Sequence, residues 1–410
     1  MPWLLALLLV LSASAEPSPS FSREILPILQ QHCQTCHRPG EIGKGSFLTY
    51  ESTRPWAKAI KAAVVSKKMP PWLAGSGSAE FRNDRRLSER DIQTLAAWVD
   101  AGAEEGDAAK PKPVEWHEGW NIAPDLVLQM PDPYTVPATG ALDYVYVVLP
   151  TGFTRDTWVA AAEVRPGARA VVHHVNAVVR PPGSQWMRDA KPFVPYIATF
   201  ADEVDPQKTP VNLSYEFLTS YSPGMQPERF DIDRSAKLIP AGSDIVLQLH
   251  YTANGKAVPD QTRVGLELAT EIPKKRFFSS VVNSSAWTID PGDANAEGRA
   301  RMTFGEPVEL VFLQPHMHLR GKDMTVSLVY PDGKTETVLG VPRYDFNWQI
   351  LYYLKTPRLL PQGTRVEVTA HWDNSANNLA NPDPTATVRW GNQSWDEMLS
   401  VPMGVLVTLD

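Results

Sequence analysis

The chain has 410 residues but only two cysteines, and both fall in Cys33-Gln34-Thr35-Cys36-His37. With these two committed to one motif, no disulfide is left to staple the remainder, so the fold depends on buried apolar cores. Cys-x-x-Cys-His is the spacing of covalent haem attachment, with the histidine as an iron ligand. The competing reading is a thioredoxin-like dithiol, which calls for a βαβ setting, whereas the residues before Cys33 read as helix. The motif therefore predicts one covalent haem c, attached at Cys33 and Cys36 and ligated by His37.

The surroundings fit a small all-α cytochrome c domain over residues 20–105. One helix is expected from about Ser22 to Gln31, leading into the motif. A second is expected from about Ser88 to Ala101. Ser88 can cap it with Asp91 three residues on, and Ile92, Leu95, Ala96 and Val99 form an apolar stripe that is expected to pack on the first helix. Between them lies Lys67-Lys68-Met69-Pro70-Pro71-Trp72. A methionine on this proline-stiffened loop is placed to be the second axial ligand, the alternative being an ordinary buried Met69. Histidine and methionine together fill both axial positions, which suits one-electron transfer and not dioxygen binding. His32 is assigned no role, since His37 already supplies the ligand.

Ahead of this domain, Leu4 to Leu11 form an apolar stretch followed by Ala13-Ser14-Ala15, the pattern of a signal peptide over residues 1–15. The expectation is export, to the periplasm or beyond. No later apolar segment approaches the ~20 residues of a spanning helix, so no membrane span is expected after signal removal. The formal net charge of −7 gives no basic footprint and excludes nucleic acid as a partner.

A polar, proline-punctuated stretch over residues 106–120 reads as a linker containing a solvated His117. Beyond it the chain is rich in Val, Thr and Tyr broken by Pro-Gly, Asp-Gly and Asn-Gly turns, which predicts short strands. Within this part a set of five of the chain's nine histidines calls for explanation: His173, His174, His250, His316 and His318. Each is in or beside a strand-like run, Ala170 to Val179, Asp244 to Tyr251 or Val308 to His318. Alternation along a strand puts His316 and His318 on one face, with Met317 pointing away. His173 and His174 would face opposite ways on a regular strand, so joint ligation requires a bulge or a strand end. Imidazoles alone allow zinc, copper or iron. A thioether would favour Cu(I), and Met398, in Trp395-Asp396-Glu397-Met398, is the candidate, with core packing as its alternative. His371 is read as structural or as supporting a ligand, and Met403 as core.

Val172-His173-His174-Val175, Gln248-Leu249-His250-Tyr251 with Arg263-Val264-Gly265, His316-Met317-His318-Leu319-Arg320-Gly321-Lys322 and Asp396-Glu397-Met398 occur in a distinctive order. In that order they resemble the copper type II, ascorbate-dependent monooxygenases, which include peptidylglycine α-hydroxylating monooxygenase and dopamine β-monooxygenase. The resemblance runs from about Asn121 to the C-terminus. The whole chain looks like bacterial proteins that join a cytochrome c domain to this copper module.

The resemblance implies two jelly-roll-like β-sandwiches, over residues 121–272 and 273–410, and two copper ions. By motif, His173, His174 and His250 would hold the electron-transferring copper. His316, His318 and Met398 would hold the copper at which dioxygen and an organic substrate react, and would be the catalytic set. The implied activity is a monooxygenase that hydroxylates a C–H bond, with the fused haem, a periplasmic donor or an ascorbate-like reductant supplying electrons. The alternative is a non-catalytic haem and copper electron carrier. Two departures stand out. The animal enzymes are disulfide-rich whereas this chain has no cysteine to spare, and no residues match those that recognise the peptide or catecholamine substrate.

Overall fold

The structure, a computed structural model, describes residues 18–41, 43–107, 111–116, 119–140, 142–197 and 216–409. The expected signal peptide, residues 1–15, and His117 lie outside the described residues. The chain divides into two compact units. The first comprises the described residues of Met1–Arg38, Lys44–Pro70 and Leu87–Val114; the second comprises those of Pro39–Gly43, Pro71–Arg86 and Glu115–Asp410.

In the first unit the regular elements among the described residues are helical: α1 (Leu26–His32), preceded by a wider turn over Phe21–Ile25, α2 (Tyr50–Thr53), α3 (Ala57–Val65) and α4 (Glu89–Asp100). Helix α4 follows the expected span. Ser88 sits at its N-cap, where Oγ accepts from the Asp91 backbone N–H at 3.1 Å and donates to the Asp91 carboxylate at 2.6 Å; such a cap contributes about 1 kcal/mol. Its buried face is set by Leu95 and Trp98, with Ile92 and Val99 half-buried beside them. Trp98 was missing from the expected stripe, yet it is a centre of this core: its indole N–H donates to the Glu104 carbonyl at 2.9 Å and its ring lies 6.2 Å from Phe21. The stripe packs on the Phe21–Ile25 turn as expected, and also on α3 through the cluster that contains Ile60 and Val64.

Among the described residues the regular structure of the second unit is almost entirely β, and strand outweighs helix in the chain as a whole. Residues Pro71–Arg86, placed by the sequence within 20–105, belong here because Trp72 and Phe81 pack edge-on or tilted against Tyr352, at 4.9 and 5.3 Å. Asn83 adds hydrogen bonds to the Leu351 carbonyl and from the Tyr353 N–H.

Two apolar cores organise the unit, one built mainly from residues before 270 and the other mainly from residues after 280. In the first core, strands β3 (Val145–Pro150), β5 (Val172–Arg180) and β10 (Asp244–Tyr251) lie in the five-stranded sheet β6-β3-β10-β5-β7, where β6 is Tyr196–Ile197 and β7 is Glu216–Tyr221. Side chains alternate along β3 and β10, and along β5 from Val175 onward. Val145, Val147 and Leu149, Val175, Ala177 and Val179, and Ile245, Leu247 and Leu249 enter the core against Val159 and Val164 of β4 (Thr157–Arg165) and Val264 and Leu266 of β12 (Arg263–Leu268). The intervening residues, among them Tyr144, Tyr146, His174, Gln248 and His250, therefore fall on the opposite face.

The second core lies between the four-stranded sheet β14-β19-β16-β17 and strands β13 (Lys275–Asn283), β20 (Ser400–Thr408), β15 (Val308–Leu313) and β18 (Tyr352–Leu360). The four-stranded sheet comprises β14 (Ala296–Thr303), β16 (Gly321–Val329), β17 (Thr335–Val341) and β19 (Arg365–Trp372). A long sheet runs through both halves, because β13 pairs antiparallel with β20 along its whole length and parallel with β9 (Ser235–Ile239), which in turn pairs with β4. The halves thus have separate cores and share a hydrogen-bonded seam.

Candidate metal centre

His174 and His250 are direct antiparallel partners on the non-core face of the five-stranded sheet. The next pair in the ladder is Tyr251 with Val172, so His173 is the extra residue of a bulge. Its side chain is thereby released from the core-facing direction that alternation would impose and can join its neighbour. This is the irregularity that joint ligation by adjacent histidines requires. The result is a compact group in which one potential ligand atom from each of His173, His174 and His250 lies within 4.8 Å of the others.

The atoms that converge are informative. Nδ1 of His173 is 3.0 Å from Nδ1 of His174, and Nδ1 of His250 is buried without a hydrogen-bond partner. A buried polar nitrogen with no partner is costly unless something else satisfies it. Burial holds all three imidazoles below their usual pKa, His174 well below it and His250 down to about 3, these two also through the neighbouring histidines. Neutral rings present lone pairs, which is what a metal ion needs. The donor set therefore fits a borderline ion such as copper or zinc. Tyr144, the residue just before β3, sets its ring at a tilt 4.7 Å from His250 and 5.7 Å from His174.

The second set is built differently. Strand β15 ends at Leu313, but its register with β20 carries on to the His316–Ser400 bridge, and of the two histidines only His318 lies clear of that ladder. His316 is tied to Ser400 by reciprocal backbone hydrogen bonds of 2.8 and 3.1 Å. The two rings are 5.1 Å apart and nearly perpendicular, and Met317 between them is fully buried in the second core. Same-side histidines flanking an inward methionine are thus present, as alternation predicts.

The anchor of this segment is Glu397, a buried carboxylate. It accepts from the backbone N–H groups of His318 (2.8 Å), Arg320 (2.6 Å) and Met398 (3.3 Å) and from the Trp372 indole (2.9 Å). One oxygen, Oε2, serves both His318 and Met398, which fixes the two backbones beside each other. Arg320 is also buried; its guanidinium donates to Asn374 Oδ1 and to the Trp395 carbonyl, each at 2.8 Å. Nδ1 of His316 is 2.8 Å from Gln349 Oε1, which makes Nδ1 the protonated nitrogen and leaves Nε2 as the ligand atom. Burial keeps His316 and His318 below the ordinary histidine pKa. Met398 is half-buried.

His371 stands apart from both groups. Its ring pairs with Asp323 at 2.7 Å and with Glu297 at 3.5 Å across neighbouring strands, a structural role. Met403 is fully buried in the second core. Glu397, Gln349, Tyr344, Phe346 and Tyr144 were not singled out in the sequence; only Glu397 had a signal, its position directly before Met398.

In the first unit, Cys33 and Cys36 form no disulfide. Burial, and then the neighbouring Cys36, push the Cys33 thiol up to about 12. Nδ1 of His37 is 2.9 Å from the Lys44 carbonyl, so Nδ1 carries the proton and Nε2 is left as a free donor atom, while the ring stacks on Phe47 at 4.4 Å. That arrangement fits an iron ligand. Met69 is half-buried after the end of α3.

No family model and no curated protein matches the chain. Among solved structures it is similar to the major capsid protein P2 of bacteriophage PM2, at 7 % identity over 70 % of this chain and 98 % of that one, with a TM-score of 0.29. It is also similar to an infectious bursal disease virus structure (Gt strain; 9 % identity, 71 % and 73 % covered, TM-score 0.17). Allantoicase from Saccharomyces cerevisiae is a further match (7 % identity, 69 % and 83 % covered, TM-score 0.18). Scores at this level carry no argument about fold or function. Among the described residues no helix is long and apolar enough to cross a membrane.

Proposed function

We propose that this chain is an exported oxidoreductase with one haem c and two copper ions, acting as a copper type II monooxygenase. It would insert one atom of dioxygen into a C–H bond of an organic substrate and release the other as water, consuming two electrons and two protons. The observation that carries the reading is the convergence of His173, His174 and His250 at a bulge, with an unpartnered Nδ1 on His250.

Bound copper would supply the one-electron reduction of dioxygen that side chains cannot provide, and haem c would supply single electrons from a periplasmic or ascorbate-like donor. The protein's own contribution is to hold neutral imidazoles in fixed tautomers. His316 is oriented by Gln349, and His318 and Met398 are registered by Glu397. A thioether from Met398 beside two histidines favours the reduced ion over zinc. Cys33 and Cys36 would attach the haem, with His37 and Met69 as its axial ligands.

The test is to load the full chain with copper, reduce the haem chemically, and add dioxygen with a library of organic compounds. Haem reoxidation should accompany hydroxylated product and require copper. Met398→Ala should keep a reducible haem and lose hydroxylation. Equal reoxidation in copper-free protein, or undiminished hydroxylation by Met398→Ala, overturns the proposal.

A further inference from the structure

The ladder that pairs His174 with His250 does not register His173, because the next pair is Val172 with Tyr251 and the bulge residue between has no partner in the ladder. The step that closes the bulge is therefore Val172–Tyr251. Both sides of it lead to one buried carboxylate, Asp260, at the end of β11 (Val258–Asp260). Its Oδ2 accepts from the Tyr251 hydroxyl at 3.0 Å and from the Thr262 hydroxyl at 2.7 Å. Its Oδ1 accepts from the Ala168 N–H at 2.8 Å. The Ala168 carbonyl in turn accepts from the N–H groups of Val171 and Val172, at 3.1 and 3.2 Å, and so carries the residue directly before His173.

The carboxylate is itself firmly placed. Gln261 Nε2 donates to the carbonyls of Met130 and Pro131, at 2.9 and 3.0 Å, and the Met130 N–H donates to the Thr262 carbonyl at 3.2 Å. Tyr134, opposite Asp260 in the pairing of β2 (Tyr134–Val136) with β11, stacks its ring on Tyr251 at 5.4 Å. The turn before Val172 is pressed onto this connection at Gly167, where a Cβ would stand 2.7 Å from the Gln261 backbone nitrogen and 3.3 Å from Asp260 Oδ1. Glycine is required there by close approach.

An ionised carboxylate only accepts, so where it sits dictates where its three donors sit. We infer that Asp260 is the positioning residue of the first histidine group: it holds the turn before Val172 and the Tyr251 side chain at one point, and thereby sets the bulge and the direction of the His173 ring. The ladder keeps His174 and His250 together as a pair, and Asp260 adds the third imidazole to them. Losing Asp260 should leave the pair in place and release His173 alone. This inference rests on the copper reading of the first group and deepens it, since that reading names three ligands but not what aims the one the sheet does not register.

The test uses the full chain carrying His316→Ala and His318→Ala, so that Cu(II) binds only at the first group, and needs no turnover. Electron spin-echo modulation counts the imidazoles coupled to the ion, and competition with a chelator gives its affinity. Three coupled imidazoles are expected in this parent. Asp260→Ala should keep one copper with two coupled imidazoles and an affinity lower by about 10- to 100-fold. Gly167→Ala, which lifts the turn off the carboxylate without altering it, should act in the same direction and carries the test if Asp260→Ala does not fold. Asp260→Asn should restore three, because its amide oxygen can accept from Ala168 while its NH2 donates to the hydroxyls of Tyr251 and Thr262. A merely structural role would lower stability and leave the imidazole count at three. Three coupled imidazoles with parental affinity in both alanine variants overturns the inference and leaves the copper reading intact. Asp260→Asn behaving like Asp260→Ala overturns positioning by these hydrogen bonds. No copper in the parent, or fewer than three coupled imidazoles there, overturns the inference together with the first ligand set.

Discussion

The two histidine groups of the second unit reach similar ends by opposite means. His174 and His250 are spaced by a backbone ladder, and His173 is turned toward them by a bulge in that ladder. In the other group His316 continues the β15–β20 register through its bonds to Ser400, while the backbones of His318 and Met398 are held chiefly by one carboxylate. A ladder distributes its support over many weak and redundant bonds, whereas a buried carboxylate concentrates it in a single residue. Single substitutions should therefore dismantle the second group much more readily than the first.

The largest effect is expected from Glu397→Ala. It leaves three backbone N–H groups and the Trp372 indole without their acceptor in a buried setting. The expected cost is on the order of 3–5 kcal/mol, seen in denaturant unfolding, with loss of the second copper and retention of the first. Retention of both coppers would break the contrast. Next, His250→Ala should remove one copper per chain at little or no cost in apo stability, because it deletes a buried nitrogen that lacks a partner. Metal analysis after dialysis reads the first outcome and thermal unfolding of the apo protein the second.

A smaller effect is expected from Gln349→Ala, which takes away the partner of His316 Nδ1 while leaving every ligand in place. Affinity at the second site should fall by about 10- to 100-fold, measured by competition with a chelator, while the first site is unchanged. The smallest is His371→Ala. Its pairs with Asp323 and Glu297 are partly exposed, so no more than about 1 kcal/mol should be lost, and both coppers should remain. Copper loss there would mean that His371 supports the site after all.

What was legible in the sequence follows the same divide. Strand β10 spans Asp244–Tyr251 as predicted, and the bulge at His173 is the condition that adjacency of two histidines imposed. Period-two alternation carries that much information because each residue's face is fixed by its neighbours. Helix α4 was legible for a similar reason, with a local cap and a local stripe. Trp98 was not, because its partners are Phe21 and the Glu104 carbonyl. Strand β15 loses its regular ladder after Leu313, where Pro315 has no N–H to offer, and what fixes His318 beyond it is Glu397, a partner roughly eighty positions away in the chain. Phe346 carries no sequence signal at all, since an aromatic residue in a connection reads the same whether it packs on histidines or on a core. The move of Pro71–Arg86 into the β unit is of this kind too, resting on contacts of Trp72 and Phe81 with Tyr352.

The central claim is that five histidines and Met398 hold two copper ions, and X-ray absorption at the copper edge of the fully loaded, reduced protein tests it most directly. The account predicts two coppers per chain, a nitrogen shell of imidazole type, and a sulfur shell that disappears in Met398→Ala while the histidine scattering remains. A sulfur shell that persists in Met398→Ala, or none in the parent, would contradict it.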